Sequence, residues 1–409
     1  MNNKLIIITI FLALTSSLFA QYLLNQYLET AAKNNPALKA KFNEYNASLE
    51  KVPQVGALPD PQLTFGYFIM PVETKNGPQN LKASFTQMFP WFGTLSSKED
   101  VFISAAKSKY EDFEDAKSIL FFDVKSTYYK LYYIQKGIDI SLENIEILKT
   151  FKRLALIKIE AGKASVVDEL RVELELNALE NNLALLKDNW FVNSVKFNSL
   201  LNVENNTHIQ IPKTLWTDDL QFSKQAVIDS LTINNHQLKS LDFLKESFVH
   251  NEQLGKKQGT PKIILGVDYT AIGNSGISPD AGKDALMVKV GITIPLYRKK
   301  YSAMIKEAVI QQQVIDDKKL DKVNALETLF EKVYSEYSDA NRRIILFKKQ
   351  SKLAKRAIKL LENEYANSGK NFEEILRMER KVLNYSLELE KAKADKQASI
   401  AFINYLMGL

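Results

Sequence analysis

Four short stretches of the chain alternate between apolar and polar residues, which is the pattern of a half-exposed β-strand. The clearest is Asp284–Tyr297, where every second residue from Leu286 to Leu296 is apolar. The other three begin near residues 62, 81 and 262, and turn-rich segments separate the members of each pair. The pattern therefore predicts two β-hairpins, at residues 61–90 and 261–297. Each strand has about 10 residues, enough to cross a bilayer when tilted.

Long segments without helix breakers fill most of the remaining chain. From Thr94 to Ala161 there is no proline, and Gly137 is the only glycine. A helix of this length extends about 100 Å at 1.5 Å per residue. Two later segments carry apolar residues at alternating spacings of four and three, typical of a coiled-coil seam. The first stripe, which passes over Asn193, is Val172, Leu176, Leu179, Leu183, Leu186, Trp190, Phe197 and Leu200. The second, which Lys396 interrupts, is Met378, Val382, Tyr385, Leu389, Ala392, Ile403 and Leu406.

The two halves of the chain resemble one another in the order of these features. Asn34–Leu38 recurs at Asn234–Leu238, and the turn at Glu160–Lys163 recurs at Asn367–Lys370. This self-similarity predicts an internal two-fold repeat. The first repeat spans residues 21–210, with its long helical hairpin at 94–201; the second spans 211–409, with its hairpin at 298–407. Each begins with short helices and a β-hairpin.

The N-terminal residues predict export. Lys4 precedes the apolar run Leu5–Leu14, and small residues up to Ala20 fit a cleavage site, so residues 1–20 are expected to be a signal peptide. The run is too short to serve as an anchor across about 30 Å of hydrocarbon.

Composition excludes several functions. The sequence contains no cysteine, which excludes thiol catalysis, thiolate metal sites and a lipid-modified N-terminal cysteine. His208, His236 and His250 lack metal-binding spacing, and no catalytic motif occurs. The net charge of +6 comes from 54 basic and 48 acidic residues. Because both signs alternate along the helices, a solvated helix surface is favoured over a nucleic-acid interface. We therefore expect no enzyme, cofactor, metal site or nucleic-acid partner.

Aromatic residues near the strand ends favour a membrane location for the hairpins. They are Phe89, Trp91, Phe92 and Tyr297, and such residues flank the apolar band of outer-membrane barrels. A soluble sheet shows the same alternation, but together with export these aromatics favour the membrane. Four strands cannot close a barrel, and an open edge cannot face lipid. Three copies would supply twelve strands, so the sequence predicts a mainly α homotrimer with a transmembrane β-barrel continued by an α-helical barrel.

Five short motifs, in this order, carry a family resemblance: Asn35–Leu38, Leu58–Pro61, Gln87–Gly93, Ala161–Asp168 and Ser368–Glu374. With them the chain, from about Tyr22 to Leu409, resembles the TolC-like outer membrane factor family. The second and third motifs look most like the branch linked to heavy-metal efflux. The resemblance implies a homotrimeric channel in outer-membrane lipid. Such a channel works with a periplasmic adaptor and an inner-membrane pump, and passively conducts substrates to the exterior.

The helical turns at Gly162 and Gly369 are expected to face the periplasm, and glycine suits the left-handed cap that ends a helix sharply. Four carboxylates follow the turns: Asp168, Glu169, Glu373 and Glu374. Repeated by threefold symmetry, they would form acidic rings that select cations. In the resembling family such residues narrow the entrance; Asp168 matches that pattern directly, and Glu374 matches after a one-residue gap. A second role stays open, because acidic residues in a first turn also stabilise the helix dipole by about 0.3–1 kcal/mol.

A protein of another class, a periplasmic coiled-coil adaptor or structural protein of an envelope complex, is the main alternative. An adaptor normally has one helical hairpin between β-rich halves. This sequence instead predicts two helical hairpins and two β-hairpins, which favours the channel.

Overall fold

The computed structural model describes residues 21–216, 218–274, 276, 279–368 and 371–409. The expected signal peptide at residues 1–20 and the turn glycine Gly369 lie outside the described residues. The chain divides into two compact units. The first contains the described residues through Ala40, Glu114–His236 and Val323–Leu409; the second contains Lys41–Phe113 and Gln237–Lys322. Each unit therefore takes segments from both predicted repeats.

Helices make up most of the described chain, which confirms the mainly α class. They are α1 (21–34), α2 (Pro36–Leu49), α3 (Lys51–Gly56), α4 (Thr94–Glu160), α5 (Val166–Leu201), α6 (Lys224–Asn234), α7 (His236–Gln258), α8 (Arg298–Ser368) and α9 (Phe372–Leu406). The two longest, α4 and α8, have 67 and 71 residues. Within the described ranges, no helix is both long and apolar enough to cross a bilayer.

The second unit contains one antiparallel sheet of four strands in the order β1-β2-β3-β4. The strands are β1 (Gln62–Thr74), β2 (Gly77–Phe89), β3 (Lys262–Ile272) and β4 (Ala285–Thr293). Pairing of β2 with β3 joins the two hairpins, so Phe85 lies opposite Val267. The strand expected to continue to Tyr297 ends at Thr293, because Pro295 has no N–H to donate to a ladder.

The core of the first unit includes the predicted coiled-coil seam. Val172 and Leu176 on α5 are buried in one cluster with Phe372 and Ile375 on α9. Asn193, which the predicted stripe passed over, is also buried and donates its side-chain amide to the carbonyl of Asn189 at 2.6 Å. The seam therefore continues through a polar residue whose hydrogen bond is satisfied within its own helix.

A buried ion pair explains why Lys396 interrupts the second apolar stripe. Its side chain is buried, and its Nζ lies 2.5 Å from the carboxylate of Asp219. Asp219 and Trp216 both lie between α5 and α6 in the sequence, and Trp216 packs against Tyr129 with ring centroids 5.9 Å apart. The lysine is thus a docking point for this segment rather than a defect in the seam.

Candidate channel site

The turn between α4 and α5 depends on a left-handed glycine. Gly162 has φ +66°, and no atom lies within 4 Å of the position that a Cβ would occupy there. Its N–H donates to the carbonyl of Ile159 at 2.9 Å, and the N–H of Lys163 donates to that of Lys158 at 2.8 Å. This pair of hydrogen bonds is the Schellman motif, which closes the end of a helix. Backbone conformation, not lack of space, therefore accounts for glycine at this position.

The predicted carboxylates occupy the first turns of the two helices that follow the turns. Asp168 and Glu169 lie in the first turn of α5, whose N-cap Ser165 accepts a hydrogen bond from the N–H of Val167. Glu373 and Glu374 lie in the first turn of α9, whose N-cap Asn371 has the left-handed φ of 69°. All four side chains are therefore placed where a helix dipole stabilises negative charge.

One arginine joins two of these carboxylates. A terminal nitrogen of Arg171 lies 3.3 Å from Asp168, and the other lies 3.0 Å from Glu373. Asp168 is the more enclosed of the two, with 14% of its side chain exposed against 69% for Glu373. The guanidinium therefore links α5 to α9 beside the two turns.

The remaining carboxylates also have basic partners. Glu169 lies 3.2 Å from Lys152 on α4, and Glu374 forms an ion pair with Arg377 one turn further along α9. The negative charges of the four predicted acidic residues are thus each compensated by a basic side chain of the same chain. The sequence analysis did not predict these ion pairs. The signal was present in the basic residues three positions after Asp168 and Glu374.

A buried tyrosine lies at the end of α8 near these ion pairs. Tyr365 packs against Phe372 with ring centroids 5.0 Å apart, and its hydroxyl has no hydrogen-bond partner in the structure. Burial raises the pKa of Tyr365, and the negative charge of Asp168 raises it further. Lys158 on α4 donates to the carbonyl of Tyr365 at 2.6 Å, and its Nζ lies 4.3 Å from the ring centroid. The ends of α4 and α8 are therefore held together by a second cationic contact.

The predicted interface aromatics lie at or just beyond the strand ends. Phe89 is the last residue of β2, and Trp91 and Phe92 follow it with ring centroids 5.9 Å apart in an edge-to-face arrangement. Tyr297 follows β4 and is highly exposed.

One face of the sheet is apolar and exposed. Ile69 on β1 is 90% exposed and Val288 on β4 is 74% exposed. Apolar residues are opposed across all four strands, as in the row Leu63, Phe85, Val267 and Val288. A continuous apolar surface of this kind marks an interaction with lipid or another protein.

The opposite face carries an ion cluster that the sequence did not indicate. The two carboxylate oxygens of Asp268 on β3 lie 2.9 Å from Nζ of Lys82 and 2.5 Å from Nζ of Lys289. A Cβ at Gly266 would lie 2.7 Å from Cε of Lys289, so glycine there leaves room for the lysine stem. The three charges come from three strands and sum to one net positive charge.

No group of three or more His, Asp or Glu side chains is arranged to hold a metal ion in the described part of the chain.

Part of the chain matches a known protein family. Residues 27–203 match the sequence model of the family described as outer membrane efflux protein. A search of curated proteins gives no significant match.

Several solved structures share the fold. The outer-membrane channel OprN is 16% identical with a TM-score of 0.76, covering 94% of this chain and 89% of its own. VceC from Vibrio cholerae is 13% identical with a TM-score of 0.74, covering 94% and 95%. The open state of the MtrE channel from Neisseria gonorrhoeae is 13% identical with a TM-score of 0.75, covering 94% and 89%.

Residues 27–203 thus resemble the outer membrane efflux protein family, and the chain shares the fold of these solved outer-membrane channels.

Proposed function

We propose that this chain is one subunit of a homotrimeric exit duct that conducts substrates from a periplasmic adaptor and an inner-membrane pump to the exterior. The observation that carries the proposal is the four-stranded sheet with an exposed apolar face. Its strands have 9 to 13 residues, which is long enough for the about 9–11 residues of a tilted membrane strand.

The open edges of this sheet require further copies of the chain. Within the described residues, β1 and β4 each pair with one neighbour. In lipid an unpaired edge would leave backbone N–H and C=O groups unsatisfied, at several kcal/mol per group. Three chains joined β4 to β1 would close a barrel of twelve strands, and the even number suits bacterial barrels. Cyclic symmetry then arranges three pairs of helical hairpins around the same axis.

The internal two-fold repeat is part of this proposal. It is supported by the match between the first and second halves, each with one β-hairpin followed by a long helical hairpin. Both halves then contribute two strands and two long helices to the duct.

We further propose that the turns at Gly162 and Gly369 form the periplasmic entrance, with Asp168, Glu169, Glu373 and Glu374 around it. The exposed carboxylates of Glu373 and Glu374 are the better candidates for an acidic ring, since Asp168 and Glu169 are largely enclosed. Asp168 instead holds the arginine that ties α5 to α9. Whether it lines the ring or holds the arginine, each carboxylate also stabilises its helix by interacting with the helix dipole.

Fractionation tests the duct, and single-channel recording tests the entrance. The chain should sediment with outer membranes, require detergent for extraction and migrate as a trimer. Asp168→Asn with Glu374→Gln should raise single-channel conductance in planar bilayers and weaken cation selectivity. A soluble monomer would contradict the duct. An inserted trimer whose double variant conducts like the wild type would exclude these two carboxylates from ion conduction.

A further inference from the structure

We propose that a cleft where β2 meets α4 binds an anionic phospholipid, with the phosphate among lysines and an acyl chain in an adjoining apolar groove. The inference rests on the proposed function, because that function places the ends of β2 and β4 at the periplasmic face of the membrane.

The polar part of the site is a cleft of about 250 Å³ lined by four lysines, namely Lys98, Lys257, Lys262 and Lys300. The described residues that line it include no carboxylate. None of the four lysines forms an ion pair with another described residue, whereas neighbouring Lys256 lies 2.6 Å from Glu252. Four uncompensated ammonium groups around one small cleft attract an anion.

A buried hydroxyl in the same cleft lacks a partner. Thr94 lines the cleft, is only 5% exposed, and its Oγ1 makes no hydrogen bond in the structure. A buried hydroxyl without a hydrogen-bond partner is destabilising, so its presence here requires an explanation, such as a ligand that bonds to it. Thr94 also begins α4, and the N-terminus of a helix favours phosphate.

The apolar part of the site is an adjoining groove of about 400 Å³. Its lining includes Leu58, Phe89, Phe92 and Ile263, and Trp91 lines both the groove and the lysine cleft. Phe89 and Ile263 are paired residues on the apolar face of the sheet. The groove is therefore continuous with the surface proposed to face lipid.

A phospholipid fits the two parts together better than either alternative. A free phosphate would leave the groove empty, and an apolar segment of another chain would leave four lysines without counterions. An anionic glycerophospholipid carries its phosphate and its acyl chains on one short backbone. The charge of the cleft and the apolarity of the groove thus match the two ends of one molecule.

Quenching by brominated lipids tests the site, with Trp91 as the reporter. The mature trimer is reconstituted in phosphatidylcholine vesicles containing phosphatidylglycerol or phosphatidylcholine brominated on the acyl chains. The Trp91→Phe variant identifies which part of the quenching belongs to Trp91 among the three tryptophans of the chain. We expect brominated phosphatidylglycerol to quench Trp91 with at least fivefold preference over brominated phosphatidylcholine.

Matched variants distinguish lipid binding at the cleft from attraction by the general positive charge of the surface. Lys257→Gln with Lys300→Gln should abolish the preference, since each lysine near an anionic surface contributes about 1 kcal/mol, or about fivefold in affinity. The control pair Lys256→Gln with Lys299→Gln carries the same change of charge one residue away and should retain the preference. Thr94→Val keeps the side-chain shape and should also lower the preference.

The remaining outcomes overturn the proposal. Equal quenching by the two lipids, or none, in an inserted trimer would exclude the site and leave the duct intact. Loss of the preference in excess inorganic phosphate would mean that the cleft binds the free anion. A chain that neither inserts nor trimerises would instead contradict the proposed function.

Discussion

Arg171 on α5 and Glu373 on α9 lie 3.0 Å apart beside the two helical turns. The same guanidinium holds Asp168 at 3.3 Å, so a single side chain connects the first turns of both helices. The pair with Glu373 is exposed, and exposed ion pairs contribute only about 0–1 kcal/mol each. At the proposed entrance, a contact of that strength holds the turns together but is weak enough to break when the entrance opens.

Loss of this link should open the entrance. Arg171→Gln keeps much of the side-chain length but removes the charge that bridges Asp168 and Glu373, so the ends of α5 and α9 separate more readily. We expect higher single-channel conductance in planar bilayers than for the wild type. Arg153→Gln is the matched control, because Arg153 is exposed on α4 and no ion pair with another described residue is found for it. Equal conductance of the two variants would show that the link does not restrain the entrance.

The ion pair of Lys396 with Asp219 should respond asymmetrically to substitution. Asp219→Asn leaves a buried ammonium without its counterion, which costs more than the about 1–3 kcal/mol of a neutral unsatisfied group. Lys396→Met removes the buried charge and leaves Asp219, 77% exposed, to be solvated by water. In thermal unfolding of the detergent-solubilised trimer, Asp219→Asn should therefore lower the melting temperature more than Lys396→Met. The reverse order would mean that Lys396 is not stabilised by this carboxylate.

The same pair predicts a pH dependence. The hydrogen bond from Lys396, reinforced by its charge, lowers the pKa of Asp219 below its ordinary value of 3.8. A carboxyl whose pKa is lowered by folding contributes stability above the unfolded pKa and loses it as pH falls towards the folded one. The difference in melting temperature between the wild type and Asp219→Asn should thus be constant near neutral pH and shrink below about pH 4. A difference in melting temperature that grows as the pH falls would contradict this prediction.

The ion cluster on the polar face of the sheet should set the selectivity of the β-pore. Asp268→Asn leaves Lys82 and Lys289 uncompensated and raises the net charge of the cluster from one positive charge to two. Lys82→Gln with Lys289→Gln leaves one negative charge. Reversal potentials in a salt gradient should shift towards anions for the first variant and towards cations for the second. Shifts in the same direction, or none, would place the cluster outside the ion pathway.

Local patterns predicted much of this fold, and contacts between distant segments account for what was missed. Alternation and the absence of breakers lie within single segments, so the hairpins and long helices were expected close to their observed bounds. Pairing of β2 with β3 joins segments far apart in sequence, and no local pattern records it. For that reason the contact between Lys82 and Asp268 was not predicted, and Lys396 was interpreted as an interruption of the apolar stripe. The four carboxylates after the turns could be proposed as entrance residues from the sequence, because acidic residues after a glycine turn are a local signal.

Gly162 offers a test of the turn geometry. Its φ of +66° costs an L-residue about 1–2 kcal/mol, although there is room for a methyl group. Gly162→Ala should therefore destabilise the trimer by about 1 kcal/mol per chain. Gly137→Ala is the contrasting control, because Gly137 lies inside α4, where alanine is favoured by about 1 kcal/mol and meets only the flexible side chains of Leu186 and Leu387. Equal losses for the two variants would argue against strain at the turn.

The mass of the mature chain extracted from outer membranes tests the account most directly, since the sheet of one chain has two open edges. Native mass spectrometry in detergent should give a complex of three identical chains with no populated monomer. A stable single chain that keeps its sheet in detergent, or that dissolves in buffer without it, would contradict a pore shared between subunits.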